Sequence, residues 1–245
     1  MPGSWEIVEQ RRNRVLVATL KPPDGPVTDA REEFSQKMVL PPGSDRMKLK
    51  GLPYDAARNQ AAKFCIEQGY GWLFFLDSDS MPADADIVPK LMATNLPFIS
   101  AIYWQKFPPF MPVFFNEGVD DKGQPIKVPI TGWQPGQIIP ATFVPTGALL
   151  LKRMVLEEMF KHYPEPFKWG VTTGPVFDVK DGQIEQVPGF SEDFVFSYRV
   201  LKELKIQPMV HTGIVVYHEL QAVVGPRWLL PLPHPEPTFG VLGVR

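Results

Sequence analysis

Cysteine is nearly missing from this 245-residue chain, with Cys65 the single example. One cysteine excludes an internal disulfide and any multi-cysteine metal site, and Cys65, inside an expected helix, reads as a small buried residue. There is no basic excess either. A formal charge of −2 argues against a general nucleic-acid binder, so no nucleic-acid partner is expected. No apolar stretch approaches the length of a membrane span, and residues Met1 to Arg14 are polar and charged with no secretory apolar core. These absences predict a soluble, cytoplasmic protein in which tail aromatics could still touch a membrane surface. Internal repeats and coiled-coil heptads are also missing. Proline, in contrast, is abundant, with 28 residues against a usual share of about one in twenty. The prolines gather in loops and in a tail over residues 221–245. Hydrophobic content of 44% and charged content of 21% are globular values, and the length suits one large domain or two small ones, with a single domain over residues 1–220 expected.

The most informative segment is Trp72-Leu73-Phe74-Phe75-Leu76-Asp77-Ser78-Asp79-Ser80. An unbroken apolar run ending in carboxylates reads as a strand buried on both faces. Ligand sites in open α/β sheets lie outside the carboxyl ends of such strands. On an extended segment side chains two apart point the same way, so Asp77 and Asp79 can converge on one hard cation such as magnesium or manganese, with phosphate oxygens completing its shell. A solvated Asp/Ser turn is the plainer alternative.

Around this segment, expected strands and helices alternate. Arg14–Leu20 reads as a strand, Asp29–Lys37 as a short helix, Asp55–Gln68 as a helix, Ala83–Ala93 as a helix and Pro97–Tyr103 as a strand. Val39–Leu52 is turn-rich and carries no clear element. The pattern predicts a parallel, doubly wound sheet. In the second half, Met111–Phe115, Gln137–Phe143, Ala148–Lys152 and Val210–Tyr217 read as strands, and Met154–Tyr163 and Glu192–Leu204 as helices. Gly170 to Gly189 reads as a hairpin or mobile loop that could fold over bound ligand.

Four motifs then fall in order: Asp55-Ala56-Ala57-Arg58-Asn59 with Gly71 to Asp79; Val144-Pro145-Thr146-Gly147-Ala148 running to Arg153; Phe190-Ser191-Glu192-Asp193 running to Arg199; and Val215-Val216-Tyr217-His218-Glu219. Together, over roughly residues 14 to 219, they resemble family-2-like glycosyltransferases of the GT-A fold. The resemblance implies a Rossmann-like, mostly parallel central sheet flanked by helices, with a smaller mixed or antiparallel sheet on the acceptor side. A nucleotide-sugar half would span about 14–105 and an acceptor half about 106–220. Two departures concern the donor's base. The first strand runs into Ala18-Thr19-Leu20-Lys21-Pro22 in place of the usual loop, and the segment after it lacks a clear second strand with a base-reading Asp.

The implied activity is transfer of a sugar from a nucleoside-diphosphate donor, UDP or GDP type, to a hydroxyl on a glycan, lipid or protein acceptor. By resemblance, Thr19, Arg58, Asp77, Ser78 and Asp79 contact the donor, and Asp77, Asp79 and His218 hold Mn2+ or Mg2+. Asp193 becomes the base of an inverting reaction and Glu192 a supporting acceptor contact. Both acids sit where a helix start, Ser191 capping, is the structural alternative. Among the aromatics, Tyr103, Trp104, Phe107, Phe110, Trp133, Phe143 and Trp169 could stack on sugar rings or could simply be core anchors; Trp104 is the best candidate, followed by Trp133 and Trp169. Two other functions remain in play. One is a haloacid-dehalogenase-like phosphatase with Asp77 as nucleophile. The other is a non-catalytic nucleotide-sugar or glycan-binding module on the same fold.

Overall fold

The structure, a computed structural model, describes residues 12–21, 29–105, 111–119, 121, 125–168, 176–180, 183–187 and 191–218. Its strands are β1 (Val15–Lys21), β2 (Asp45–Lys50), β3 (Trp72–Asp77), β4 (Ser80–Pro82), β5 (Phe98–Tyr103), β6 (Phe115–Val119), β7 (Pro125–Pro129), β8 (Ile138–Pro140), β9 (Ala148–Lys152), β10 (Val176–Lys180), β11 (Gln183–Val187) and β12 (Met209–His218). The helices are α1 (Asp29–Lys37), α2 (Tyr54–Glu67), α3 (Ile87–Ala93), α4 (Arg153–His162) and α5 (Glu192–Leu204).

Eight of the described strands form one sheet in the order β2-β1-β3-β9-β5-β12-β4, with β8 also paired to β12. β1 runs parallel to both β2 and β3, and β5 runs parallel to β12. β9 lies between β3 and β5 and is antiparallel to each. The expected α/β architecture is therefore present, a sheet whose strands mostly run one way, with smaller antiparallel pairs β6–β7 and β10–β11 beside it. The reversed β9 departs from a purely parallel reading. Its run Ala-Leu-Leu-Leu-Lys is buried on both faces like its neighbours, so burial carries no sign of strand direction.

Alternation along the strands sorts the core into two layers. Leu16, Ala18, Leu20, Leu73 and Phe75 face the side covered by α2, α4 and α5, where Ala57, Ala61, Cys65, Leu156 and Phe196 pack. Val15, Val17, Trp72, Phe74 and Leu76 face the other side, against Ile87, Val88 and Leu91 of α3. This period of two has a consequence for the strand end. Asp77 follows Leu73 and Phe75 in phase, so it belongs to the α2–α5 side.

The largest difference from expectation is β2, an edge strand pairing Asp45–Lys50 with Leu16–Lys21. Its sequence Asp-Arg-Met-Lys-Leu-Lys exposes nearly every side chain and buries only Leu49, which hides it from a hydrophobicity reading. Two expected strands shift or shrink. Met111–Phe115 becomes a bridge from Pro112 to Trp104 followed by β6, and Gln137–Phe143 shortens to β8. The helix expected from Ala83 begins only at Ile87, with Pro89 tolerated in its first turn. The segment expected as a hairpin holds β10 and β11, paired antiparallel, while its Thr172–Gly174 and Asp181–Gly182 lie outside the described residues. Trp169, Phe107, Phe110, Glu219 and the tail also lie outside them. Among the described residues no helix is long and apolar enough to cross a membrane.

Candidate functional site

The carboxyl ends of β1, β3, β5 and β12 meet at one edge of the sheet, where the start of β9 joins them. Register fixes this meeting. Leu20 pairs with Asp77, Leu76 with Ala148, Val216 with Tyr103 and His218 with Ser80. Backbone bonds close it: the Asp77 N–H donates to Gly147 O at 3.2 Å, and the Ser78 N–H to Leu20 O at 3.1 Å. Beyond Asp77 the strand does not continue extended. Ser78 and Asp79 form a turn that leads into β4. Asp77 and Asp79 are thus brought near each other by a turn and not by strand alternation, and β4 then carries Ser80 alongside His218.

Arg58 organises the site from below. It sits on α2, only 2% exposed. Its Nη2 donates to Asp77 Oδ1 at 3.2 Å and its Nε to Glu192 Oε1 at 3.1 Å. The guanidinium also lies 5.3 Å from the Phe75 ring centroid and 5.7 Å from that of Tyr54. Arg58 therefore ties the end of β3 to the first residue of α5. Burial opposes its charge, but Asp77, Glu192 and Asp193 outweigh that penalty and raise its pKa. The carboxylates respond in turn. Asp77 is held above its ordinary 3.8, first by burial and then by the charges of Asp79 and Asp193, with Arg58 pulling the other way. Glu192 is raised above 4.5 by burial and by adjacent Asp193, again against Arg58.

Asp193 stands in the first turn of α5. The Ser191 hydroxyl and the Phe194 N–H (2.8 Å) both donate to its Oδ1. Ser191 is thus the residue before the helix, as expected, but its hydroxyl serves Asp193 and caps no backbone amide. Tyr103, the last residue of β5, is the residue that sequence reasoning underused. Burial and then the charges of Asp77, Asp193 and Asp79 raise its pKa well above the ordinary 10.0. Its ring lies 4.4 Å, centroid to centroid, from the imidazole of His218. Tyr54 feels Asp77, Asp79 and Glu192 in the same way.

The expected residues are thus distributed as follows. Asp77, Asp79, Ser78, Thr19 and His218 all lie at this edge of the sheet, Thr19 pairing with Leu76 one step before Asp77. Arg58 and Glu192 are both buried and turned toward each other. Trp104 and Trp133 are brought together, centroids 6.4 Å apart at 60°, with Phe114 6.1 Å from Trp133. Phe143 packs on Phe194 and Tyr198 and serves as an anchor. A separate cleft of about 570 Å³ opens at the opposite, amino end of β3, between Arg12, Gly71, Trp72, Asn95, Lys152 and Arg153, away from these carboxylates.

As for a metal, no three His, Cys, Asp or Glu side chains among the described residues form a ready-made cage. Asp77 is engaged by Arg58, while Asp79, in the turn before β4, and His218, at the end of β12, lie close by. That donor set fits a cation that keeps most of its shell as water and phosphate and takes one or two protein ligands. Among the site's buried polar atoms, Arg58 Nη1, Ser80 Oγ and Thr146 Oγ1 have no hydrogen-bond partner among the described residues. Buried polar groups in this condition call for a polar occupant.

No family model matches the chain, and no curated protein matches it by sequence. Solved structures do match in shape. A197 from STIV superposes with a TM-score of 0.52 at 15% identity, over 85% of this chain and 86% of that one, and so shares the fold. GalNAc-T7 with UDP, GalNAc and Mn2+ gives 0.45 at 12% identity, over 85% of this chain but 44% of its own. A mannose-1-phosphate geranyltransferase from Thermus thermophilus gives 0.41 at 10%, over 62% of each chain.

Proposed function

We propose that this chain is a metal-dependent glycosyltransferase of the GT-A type, moving a sugar from a nucleoside-diphosphate donor to an acceptor hydroxyl with inversion, Asp193 acting as base. The observation that carries the reading is the Arg58 bridge between Asp77 and Glu192, which sets the end of β3 beside the start of α5. It joins the two acidic motifs that such a transfer needs, one for the leaving diphosphate and one for the attacking hydroxyl.

The roles follow from chemistry. Asp79 and His218 would hold the cation, and Asp77, fixed by Arg58, would orient the donor's ribose or contact the cation. The cation, when bound, offsets the charge that builds on the departing diphosphate. Asp193 accepts the proton of the acceptor hydroxyl as that oxygen attacks the anomeric carbon from the opposite face. Its two described bonds both use Oδ1, leaving Oδ2 for this task. Glu192 anchors the base helix through Arg58. Trp104 and Trp133, at the exit of β5, form an aromatic shelf suited to the acceptor.

The phosphatase alternative needs Asp77 as a free nucleophile, whereas its carboxylate is engaged by a buried guanidinium. The test is release of UDP or GDP from a panel of nucleotide sugars in the presence of manganese, with product anomer read by proton NMR. Metal-dependent release with an inverted product supports the proposal. Phosphate release from simple phosphomonoesters, with no nucleotide-sugar turnover, contradicts it.

A further inference from the structure

We propose that Tyr103 is a positioning residue for His218, and that position 147 is glycine so that the tyrosine ring can reach the imidazole. This rests on the metal site proposed above and assigns it a brace. The ring of Tyr103 is held from two sides. On one, it packs 4.4 Å from the His218 ring, the planes inclined by 54°. On the other, it lies against the backbone of Gly147. A Cβ placed there would fall 2.8 Å from Cε2, 3.0 Å from Cζ and 3.2 Å from the hydroxyl oxygen. A methyl there would push the half-buried tyrosine ring away from the place it holds beside the imidazole.

Backbone conformation does not explain this glycine. Gly147 is not among the described glycines with positive φ, so an alanine could adopt its conformation. Space is the remaining reason. Gly147 also accepts the Asp77 N–H, so one residue secures the strand end bearing the carboxylate and seats the ring that bears on the histidine. Strand register agrees. Tyr103 pairs with Val216, two residues before His218, which sets the aromatic ring at the height of the imidazole. An imidazole that ligates a cation must be fixed about its own bonds, and outer contacts that do this typically govern 10- to 100-fold in metal affinity. Here the fixing contact is an aromatic face.

The test is calorimetric titration of UDP and of GDP, each with and without manganese, on the wild type, Tyr103→Phe, Tyr103→Leu, Gly147→Ala and the double variant Gly147→Ala/Tyr103→Leu. Near-native circular dichroism selects the variants that are compared; should Gly147→Ala fail to fold, Tyr103→Leu decides. The expected result is that manganese tightens nucleotide binding in the wild type and in Tyr103→Phe. In Tyr103→Leu and Gly147→Ala that tightening falls by about tenfold, with metal-free affinity unchanged. With the ring gone the added methyl meets nothing, so the double variant should be no worse than Tyr103→Leu. A full manganese effect in Tyr103→Leu overturns the proposal while leaving the metal site standing. So does an additive loss in the double variant, or a loss in Tyr103→Phe equal to that in Tyr103→Leu. No manganese effect in the wild type overturns the metal site itself, and this brace with it.

Discussion

Arg58 Nη2 donates to Asp77 Oδ1 at 3.2 Å, and the same guanidinium reaches Glu192, so one buried cation serves two carboxylates from different motifs. Removing one member of a buried ion pair leaves the others charged and unpaired. Arg58→Met, close in shape but neutral, should lower unfolding free energy by about 3 to 5 kcal/mol. Urea denaturation followed by circular dichroism measures this. A loss below about 1 kcal/mol, the range of exposed pairs, would show that the bridge is not what locks α5 to β3.

Glu192 gives a pH signature. Its pKa is raised in the folded state, chiefly by burial, so the folded protein binds its proton more readily than the unfolded chain. Such a group adds stability below its unfolded pKa, and that stability is lost as pH rises from about 4.5 through the raised folded value. Glu192→Gln lacks this decline. Its stability relative to wild type should therefore improve steadily as pH rises across that window. A difference that stays flat, or that worsens with pH, would contradict the assignment.

Cys65 should be inert in the folded protein. It is buried on α2, its Sγ lies 3.7 Å from Trp72 O, and burial pushes its thiol up to about 12. Only the thiolate is nucleophilic. Iodoacetamide at neutral pH should leave the native protein unmodified by mass spectrometry and add one label after denaturation. Rapid labelling of the native state would mean that the packing of α2 against β3 is looser than described.

Asp193→Asn tests the base. The amide keeps shape and hydrogen bonds but accepts no proton, so turnover should fall by about 100- to 10,000-fold while nucleotide affinity is unchanged. Near-normal transfer would remove Asp193 from the base role.

Much of this arrangement is legible in the sequence, and the exceptions have physical reasons. β3, α2 and α5 announce themselves through a continuous apolar run or helical periodicity, and their observed limits fall within a residue or so of those expected. β2 does not, because an edge strand with one buried residue lacks the pattern that burial imprints. The direction of β9 is invisible for the opposite reason, since full burial erases alternation. At the site, Asp77 and Asp79 stand out as carboxylates at a strand end, but their partners depend on register and helix docking. Arg58 alone reads as an exposed helix charge, and by resemblance as a donor contact; only packing shows it buried between two acids. Tyr103 and Gly147 are distant in the chain, and only a missing side chain beside an aromatic at a strand end signals their contact.

The central claim is a nucleoside-diphosphate site that depends on a metal held by Asp79. Calorimetric titration of UDP and GDP, with and without manganese, on the wild type and on Asp79→Ala tests it most directly. The account predicts that one nucleotide binds the wild type tightly only with manganese, and that Asp79→Ala abolishes the manganese effect. Binding of neither nucleotide under any metal condition, or equal metal-dependent binding by Asp79→Ala, would contradict it.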